Sequence, residues 1–122
     1  RGKRDFDKAI ERFRQACDLG DGRSCFFIGT SFREGRELPR SDAQAVTYLR
    51  RACDLGNGSG CFGLGMMMDK SLGGLRPDPA AQHRLLQKAC DGGVVAACMT
   101  LQEGASPRPA PPAPDAGPGA RP

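Results

Sequence analysis

A pattern with a cysteine near each end occurs three times in the sequence, at residues 16–26, 52–62 and 89–99. Together the three copies contain all six cysteines, and the two cysteines of each copy are eight residues apart. Successive copies are displaced by 36 and then 37 residues. A period in this range is typical of repeat proteins in which each repeat is a pair of helices. The sequence therefore predicts a short array of helix pairs, each with a glycine turn between its two cysteines.

Apolar residues before and after each turn have helical spacing. Phe6, Ile10 and Phe13 fall on one face of the first predicted helix, for which Asp5 is a plausible N-cap and Gly20 a plausible residue after the C-terminus. The predicted helices cover about 5–19, 24–33, 42–55, 59–70, a segment beginning at Asp78-Pro79, and 95–103.

A capping box marks the start of the second repeat. Ser41 is predicted to cap its first helix, and Gln44 can reach back to the backbone of Ser41.

The chain is predicted to hold one all-α domain followed by a tail. The domain covers 5–103, with repeats at about 5–40, 41–76 and 77–103. Seven of the ten prolines fall in 104–122, with almost no bulky apolar residues. Such a segment buries too little surface to offset its ordering entropy, so the tail is predicted to be disordered or extended.

Charge and hydropathy exclude several classes of protein. The net charge of +4 comes from charges of mixed sign, so we expect a solvated surface and no binding to nucleic acid. No apolar run reaches the ~20 residues that a membrane span needs. The sequence opens on Arg1 and shows no signal peptide. We therefore expect either that a leader was removed or that the chain is a piece of a longer one.

The cysteine spacing predicts disulfides inside each repeat. In an antiparallel helix pair the last turn of one helix faces the first turn of the next, which brings both cysteines within the ~4.4–6.8 Å Cα window of a disulfide. Cysteines of neighbouring repeats would lie about 9–10 Å apart, which is too far. The predicted pairs are Cys17–Cys25, Cys53–Cys61 and Cys90–Cys98.

Three alternatives for the cysteines have less support. Zinc sites favour short Cys-x-x-Cys spacings or several histidines, and this chain has only His83. Catalytic redox cysteines need a Cys-x-x-Cys pair or an activated thiol. Free buried thiols of a cytosolic protein remain as the third alternative.

The motif Ala-Cys-Asp-Leu-Gly-x-Gly-x-x-Cys-Phe-x-[Ile/Leu]-Gly, at 16–29 and 52–65, resembles Sel1-like repeats, specifically the cysteine-rich (Hcp-type) subgroup of secreted bacterial proteins. The resemblance covers about residues 5–102. It implies a right-handed α/α superhelix with one disulfide per repeat, and a periplasmic or secreted location. It also implies a role in protein–protein interaction or scaffolding, while some cysteine-rich members are described as penicillin-binding or weakly β-lactamase-like.

The third repeat departs from the motif. Gly92 replaces the leucine, and Gln102 stands where the other repeats have Gly29 and Gly65. This repeat is predicted to be a terminal, capping one. Because three repeats is close to the minimum for a stable array, further Sel1-like repeats upstream in the same chain are expected.

Two functional hypotheses follow. In the first, the chain is an interaction module that holds a protein or peptide on the concave face of the solenoid. Its predicted binding surface contains Met66, Met67, Met68, Arg50 and Arg51, with the alternative that at least two of the methionines belong to the core.

The second hypothesis is a β-lactamase-like hydrolase or penicillin-binding protein. No serine of the chain is followed by Lys three residues later, and a single histidine cannot build a zinc site. The sequence thus indicates no catalytic residue, no metal ligand and no cofactor.

Overall fold

The computed structural model describes residues 3–105, which form six α-helices and no strand. The helices are α1 (Lys3–Asp18), α2 (Gly22–Glu34), α3 (Asp42–Asp54), α4 (Gly58–Asp69), α5 (Pro79–Asp91) and α6 (Val95–Ala105). They form three antiparallel pairs, α1–α2, α3–α4 and α5–α6, and the pairs stack through α2 on α3 and α4 on α5. The predicted all-α solenoid of three helix pairs with one disulfide per repeat is confirmed.

The same glycine turn joins the helices of every pair. Gly20, Gly56 and Gly93 have φ angles of 102°, 90° and 97°, in the left-handed region that disfavours side chains. The residue after each glycine donates its backbone N–H to the carbonyl of the alanine that precedes the first cysteine, at 2.9–3.0 Å. Each turn therefore reverses the chain in the same way and leaves the two cysteines opposite each other.

Side-chain caps fix the starts of the later helices. The Ser41 hydroxyl accepts the N–H of Gln44, and Asp78 accepts the N–H of Ala81 next to Pro79 at the first helical position. The capping box predicts that the Gln44 side chain accepts the N–H of Ser41. In the structure this N–H donates instead to the carbonyl of Phe32 in the preceding repeat.

The predicted N-cap at Asp5 is wrong. Asp5 lies inside α1, which already includes Lys3. The helix extends further towards the N-terminus because Lys3 and Arg4 are good helix formers and nothing in the sequence stops the helix at Asp5.

Two clusters of buried side chains form the core. The larger cluster spans the first two pairs and has Leu49 at its centre, and the smaller one joins the Cys53–Cys61 disulfide to Leu86 and Ala89. Met67 and Met68 are 1% and 7% exposed, so most of each side chain packs in the core. Only Met66 of the three methionines keeps a partly accessible side chain.

The predicted tail begins inside the last helix. Gly104 and Ala105 continue α6, so this helix runs beyond the predicted boundary at 103. The remainder of the tail, 106–122, lies outside the described residues.

Candidate binding groove

The three disulfides close the helix pairs. The S–S distances are 2.08, 2.11 and 1.97 Å for Cys17–Cys25, Cys53–Cys61 and Cys90–Cys98, with Cα separations of 4.7, 4.5 and 4.8 Å. The first four cysteines are buried, while Cys90 and Cys98 are half-buried. None of the described cysteines is a free thiol, so these residues hold the structure and offer no nucleophile or metal ligand.

A groove of about 390 Å³ crosses from the first helix pair to the second. We call it the basic groove; its lining is Arg33, Arg40, Met66, Met67, Lys70 and Leu72. Arg33 comes from the last turn of α2, and Lys70 caps the C-terminus of α4. The Arg33 guanidinium lies beside Gly63, where a Cβ would be 3.8 Å from Nη1. The absence of a side chain at 63 leaves α4 open to this cation from the neighbouring repeat.

The positive charge of the basic groove is only partly neutralised. Arg33 pairs with Glu34 at 3.4 Å, and Arg40 pairs with Asp42 at 3.3 Å. Lys70 takes part in no ion pair within residues 3–105. Exposed pairs of this kind are worth only about 0–1 kcal/mol, so an incoming carboxylate can exchange with them at little cost. Met66 and Leu72 add apolar contact area between the cations.

The two arginines predicted to belong to the binding surface lie elsewhere. Arg51 binds Asp18 of the preceding repeat at 3.0 Å, and its guanidinium lies 5.3 Å from the centre of the Tyr48 ring. Its charge is therefore used to join two repeats. Arg50 is exposed on α3 and does not line the basic groove.

Sequence reasoning missed the cations of the basic groove because they do not recur. Asp69 lies 36 residues after Arg33 and occupies the equivalent position of the next repeat. The charge at this position is therefore opposite in the two repeats. Arg40 lies in the loop before α3, where the repeats differ in sequence. One sequence signal could have pointed to the groove: Arg33 and Lys70 lie at the C-terminal ends of their helices, where the helix dipole favours cations.

A second groove, of about 420 Å³, lies between the end of α4, α5 and α6. Its wall includes Asp69, Gln82 and His83, and the Gln82 side chain donates to the Gly65 carbonyl at 3.2 Å. No hydrogen bond joins His83 to a serine among residues 3–105, and these residues contain no cluster suited to a metal ion. The hydroxyl of Thr100, which also lines the groove, donates to the Ala96 carbonyl at 2.8 Å. Among residues 3–105 the hydrogen bonds of this groove therefore form no nucleophile–base pair of the kind that acyl-transfer chemistry needs.

Comparison with known proteins identifies the family. The model of the Sel1 repeat matches residues 1–21, 22–57 and 58–94. The chain belongs to the Sel1 repeat family. The first matched unit covers α1, and the second and third begin at Gly22 and Gly58, where α2 and α4 begin. The repeats predicted from the sequence instead begin at the first helix of each pair. No curated protein sequence matches the chain significantly.

Solved structures of other Sel1 repeat proteins have the same fold. A Sel1 repeat protein from Oxalobacter formigenes is 25% identical, with a TM-score of 0.75 over 80% of this chain and 72% of that one. The Helicobacter pylori cysteine rich protein B is 23% identical, with a TM-score of 0.62 over 83% and 98%. A protective antigen of uropathogenic Escherichia coli with an SLR fold is 24% identical, with a TM-score of 0.70 over 76% and 20%.

These likenesses confirm the predicted resemblance to cysteine-rich Sel1 proteins. A disulfide-rich array of Sel1 repeats is the architecture of a protein–protein interaction module. Its intrachain disulfides suggest an oxidising location outside the cytoplasm. Within 3–105, each helix is too short or too polar to span a bilayer.

Proposed function

We propose that this chain is an interaction module of the periplasm or the extracellular space that binds an acidic segment of a partner protein in its basic groove. The concave face of a solenoid is the surface on which such modules generally bind extended segments, and we assign the basic groove to that use. The supporting observation is the convergence of Arg33, Arg40 and Lys70 around Met66 and Leu72.

The chemistry of the basic groove favours a carboxylate beside an apolar residue. Arginine guanidinium groups bind carboxylates through paired hydrogen bonds, and the flexible methionine side chain adapts to varied apolar partners. Charges at this surface attract a partner over about one Debye length, near 8 Å at physiological salt. Binding is therefore expected to weaken as salt increases.

A display library of random twelve-residue peptides, selected on the oxidised protein, tests this proposal. We expect the recovered peptides to be rich in Asp and Glu next to Leu, Met or Phe. Their affinity, measured by fluorescence anisotropy, should fall at least tenfold in the charge-reversed variant Arg33→Glu/Lys70→Glu.

Arg50→Glu is the matched control, because it makes the same charge reversal outside the groove. Its peptide affinity should stay within a factor of two of that of the unchanged protein. Peptides without acidic residues, or equal losses in the groove and control variants, would contradict the proposal.

The alternative of a β-lactamase-like hydrolase or penicillin-binding protein has no supporting arrangement in the described residues. The Ser24 hydroxyl donates to Asp21 at 2.7 Å, and the Ser41 hydroxyl caps α3. Both serines thus have structural roles at helix starts. The interaction module is accordingly the function that the residues support.

A further inference from the structure

The second groove lies where the preceding interface between repeats holds a cation of the chain itself. Asp69 and Thr100 occupy the positions that Arg33 and Gly63 occupy 36 and 37 residues earlier. In the preceding interface the Arg33 guanidinium lies beside Gly63. Because aspartate is much shorter than arginine, the equivalent space between the second and third helix pairs contains the groove of about 420 Å³. The fold thus accommodates a guanidinium at this place, and no cation of residues 3–105 lines the second groove.

Asp69 gives the second groove a negative charge that is not compensated. It is the last residue of α4, it is exposed, and it takes part in no ion pair among the described residues. The helix dipole disfavours a carboxylate at a helix C-terminus, so this position does not stabilise α4. With histidine neutral at pH 7, Asp69 is the only charged residue among the described residues that line the groove. The second groove therefore attracts a cation.

The neutral polar groups of the second groove present hydrogen-bond acceptors. The Gln82 side chain donates to the Gly65 carbonyl, and the Thr100 hydroxyl donates to the Ala96 carbonyl. These bonds engage a donor of each side chain and leave the oxygens of Gln82 and Thr100 as acceptors on the wall. A guanidinium has only donors, so it matches this wall. The apolar part of the lining is Pro79, Leu86 and Leu101. The methylene stem of an arginine can pack against these residues.

The last turn of α4 separates the second groove from the basic groove. Asp69 lines the second groove, and Lys70 lines the basic groove. Consecutive residues of a helix point about 100° apart, so the two charges lie in different grooves. Helices of neighbouring repeats pack about 8–10 Å apart. Because an extended chain rises about 3.3 Å per residue, a segment that crosses this turn places residues about three positions apart in the two grooves.

We propose that the second groove binds an arginine side chain of the same partner segment whose acidic residue binds in the basic groove. The guanidinium pairs with Asp69 and donates to the side-chain oxygens of Gln82 and Thr100. The partner segment therefore carries charges of both signs, an acidic residue and an arginine about three positions apart. This inference rests on the function proposed above, because it assigns both grooves to one partner.

Nα-acetyl-arginine amide tests the second groove by itself, because this compound has no acidic group for the basic groove. NMR titration should shift the backbone amide signals of Thr100 and Leu101 and the side-chain amide signal of Gln82. Nα-acetyl-citrulline amide, which has nearly the same shape without the charge, should bind at least threefold more weakly.

Two substitutions assign the charge that the compound meets. Asp69→Asn should weaken binding of Nα-acetyl-arginine amide at least threefold. Asp54→Asn is the matched control, because it removes the same charge from the last residue of α3, outside both grooves. It should leave the affinity within a factor of two.

A peptide with both charges tests whether one segment uses both grooves. It has eight residues, with Glu and Arg three positions apart around a leucine, and it is made in both chain orders. In the order that binds more tightly by fluorescence anisotropy, exchange of its Arg for citrulline should lower affinity at least threefold on the unchanged protein. The same exchange should lower affinity less than twofold on Asp69→Asn, because the arginine then has no carboxylate to pair with.

The outcomes separate this inference from the proposed function. Equal effects of citrulline on the unchanged protein and on Asp69→Asn, or no shift of the Thr100 and Leu101 signals, would overturn the inference. The proposed function would still stand if exchange of the peptide Glu for Gln lowers affinity on the unchanged protein but not on Arg33→Glu. A peptide that binds in neither chain order, or a Glu exchange without effect, would contradict the claim that one segment spans both grooves.

Discussion

At the scale of single residues, two glycines in equivalent positions have different roles. A Cβ at Gly29 would meet the Leu49 side chain at 2.9 Å and its backbone nitrogen at 3.1 Å, and the nitrogen cannot move without shifting α3. A Cβ at Gly65 would meet its nearest neighbour at 3.5 Å, an ordinary van der Waals contact. The motif has glycine at both positions, but only the first interface requires it.

The pair Gly29→Ala and Gly65→Ala tests this difference. We expect Gly29→Ala to lower the free energy of unfolding by about 1–3 kcal/mol, because the added methyl overpacks the interface. Gly65→Ala should be neutral or raise it by about 0.5–1 kcal/mol, because alanine is the better helix former. Urea denaturation of both variants measures the two values. Similar losses in both would contradict the reported difference in packing.

Arg51 shows what a periodic pattern cannot reveal. The sequence places it on the outer side of a helix, where a cation is available to a partner. The structure uses it between repeats, with Asp18 at 3.0 Å and the Cys17 sulfur at 3.7 Å from Nη1. Contacts of this kind depend on how one repeat is placed on the next, which the repeat period does not determine.

At the scale of helices and turns, most of the fold could be predicted from the sequence. The glycine turns at 20, 56 and 93, the caps at Ser41 and Asp78, and the disulfide in each repeat depend on local chemistry, and a local pattern is enough to predict them. The start of α1 could not be placed because Asp5 is compatible with both a cap and a helix interior. The orientation of Met66, Met67 and Met68 could not be placed because three consecutive apolar residues fit either face of α4. The basic groove was missed because its cations come from different repeats.

The three disulfides differ in how far they are buried from solvent, and this difference predicts the order in which a reductant opens them. Cys90 and Cys98 are half-buried, and α6 packs mainly on α5, whereas Cys53 and Cys61 are buried in a pair with a neighbour on each side. Limited treatment with a thiol reductant should therefore open Cys90–Cys98 first and Cys53–Cys61 last, since the attacking thiolate must reach a sulfur. Timed alkylation with mass analysis of the peptides reads the order. Reduction of Cys53–Cys61 first, or at the same rate as the others, would contradict this account.

At the scale of the whole molecule, stability comes from each helix pair and from its contacts with its neighbours. Each disulfide closes a nine-residue loop, which the chain-entropy model values at about 2.5 kcal/mol. The three disulfides together therefore supply a large share of the roughly 5–15 kcal/mol by which a typical domain is stable, so a short array needs these bonds. The oxidised pairs hold the helices that line the basic groove in place, so the disulfide pattern underlies the proposed function.

Mapping the disulfides in protein taken from its own compartment tests this central claim most directly. Cells are opened in an alkylating reagent without reductant, and the purified chain is cut with a protease that cleaves before aspartate. Asp18, Asp54 and Asp91 directly follow the first cysteine of each repeat, so cleavage leaves all six cysteines on separate peptides. The account predicts no alkylated cysteine and three linked peptide pairs, Cys17–Cys25, Cys53–Cys61 and Cys90–Cys98. Six alkylated thiols, or peptides linked between different repeats, would contradict it.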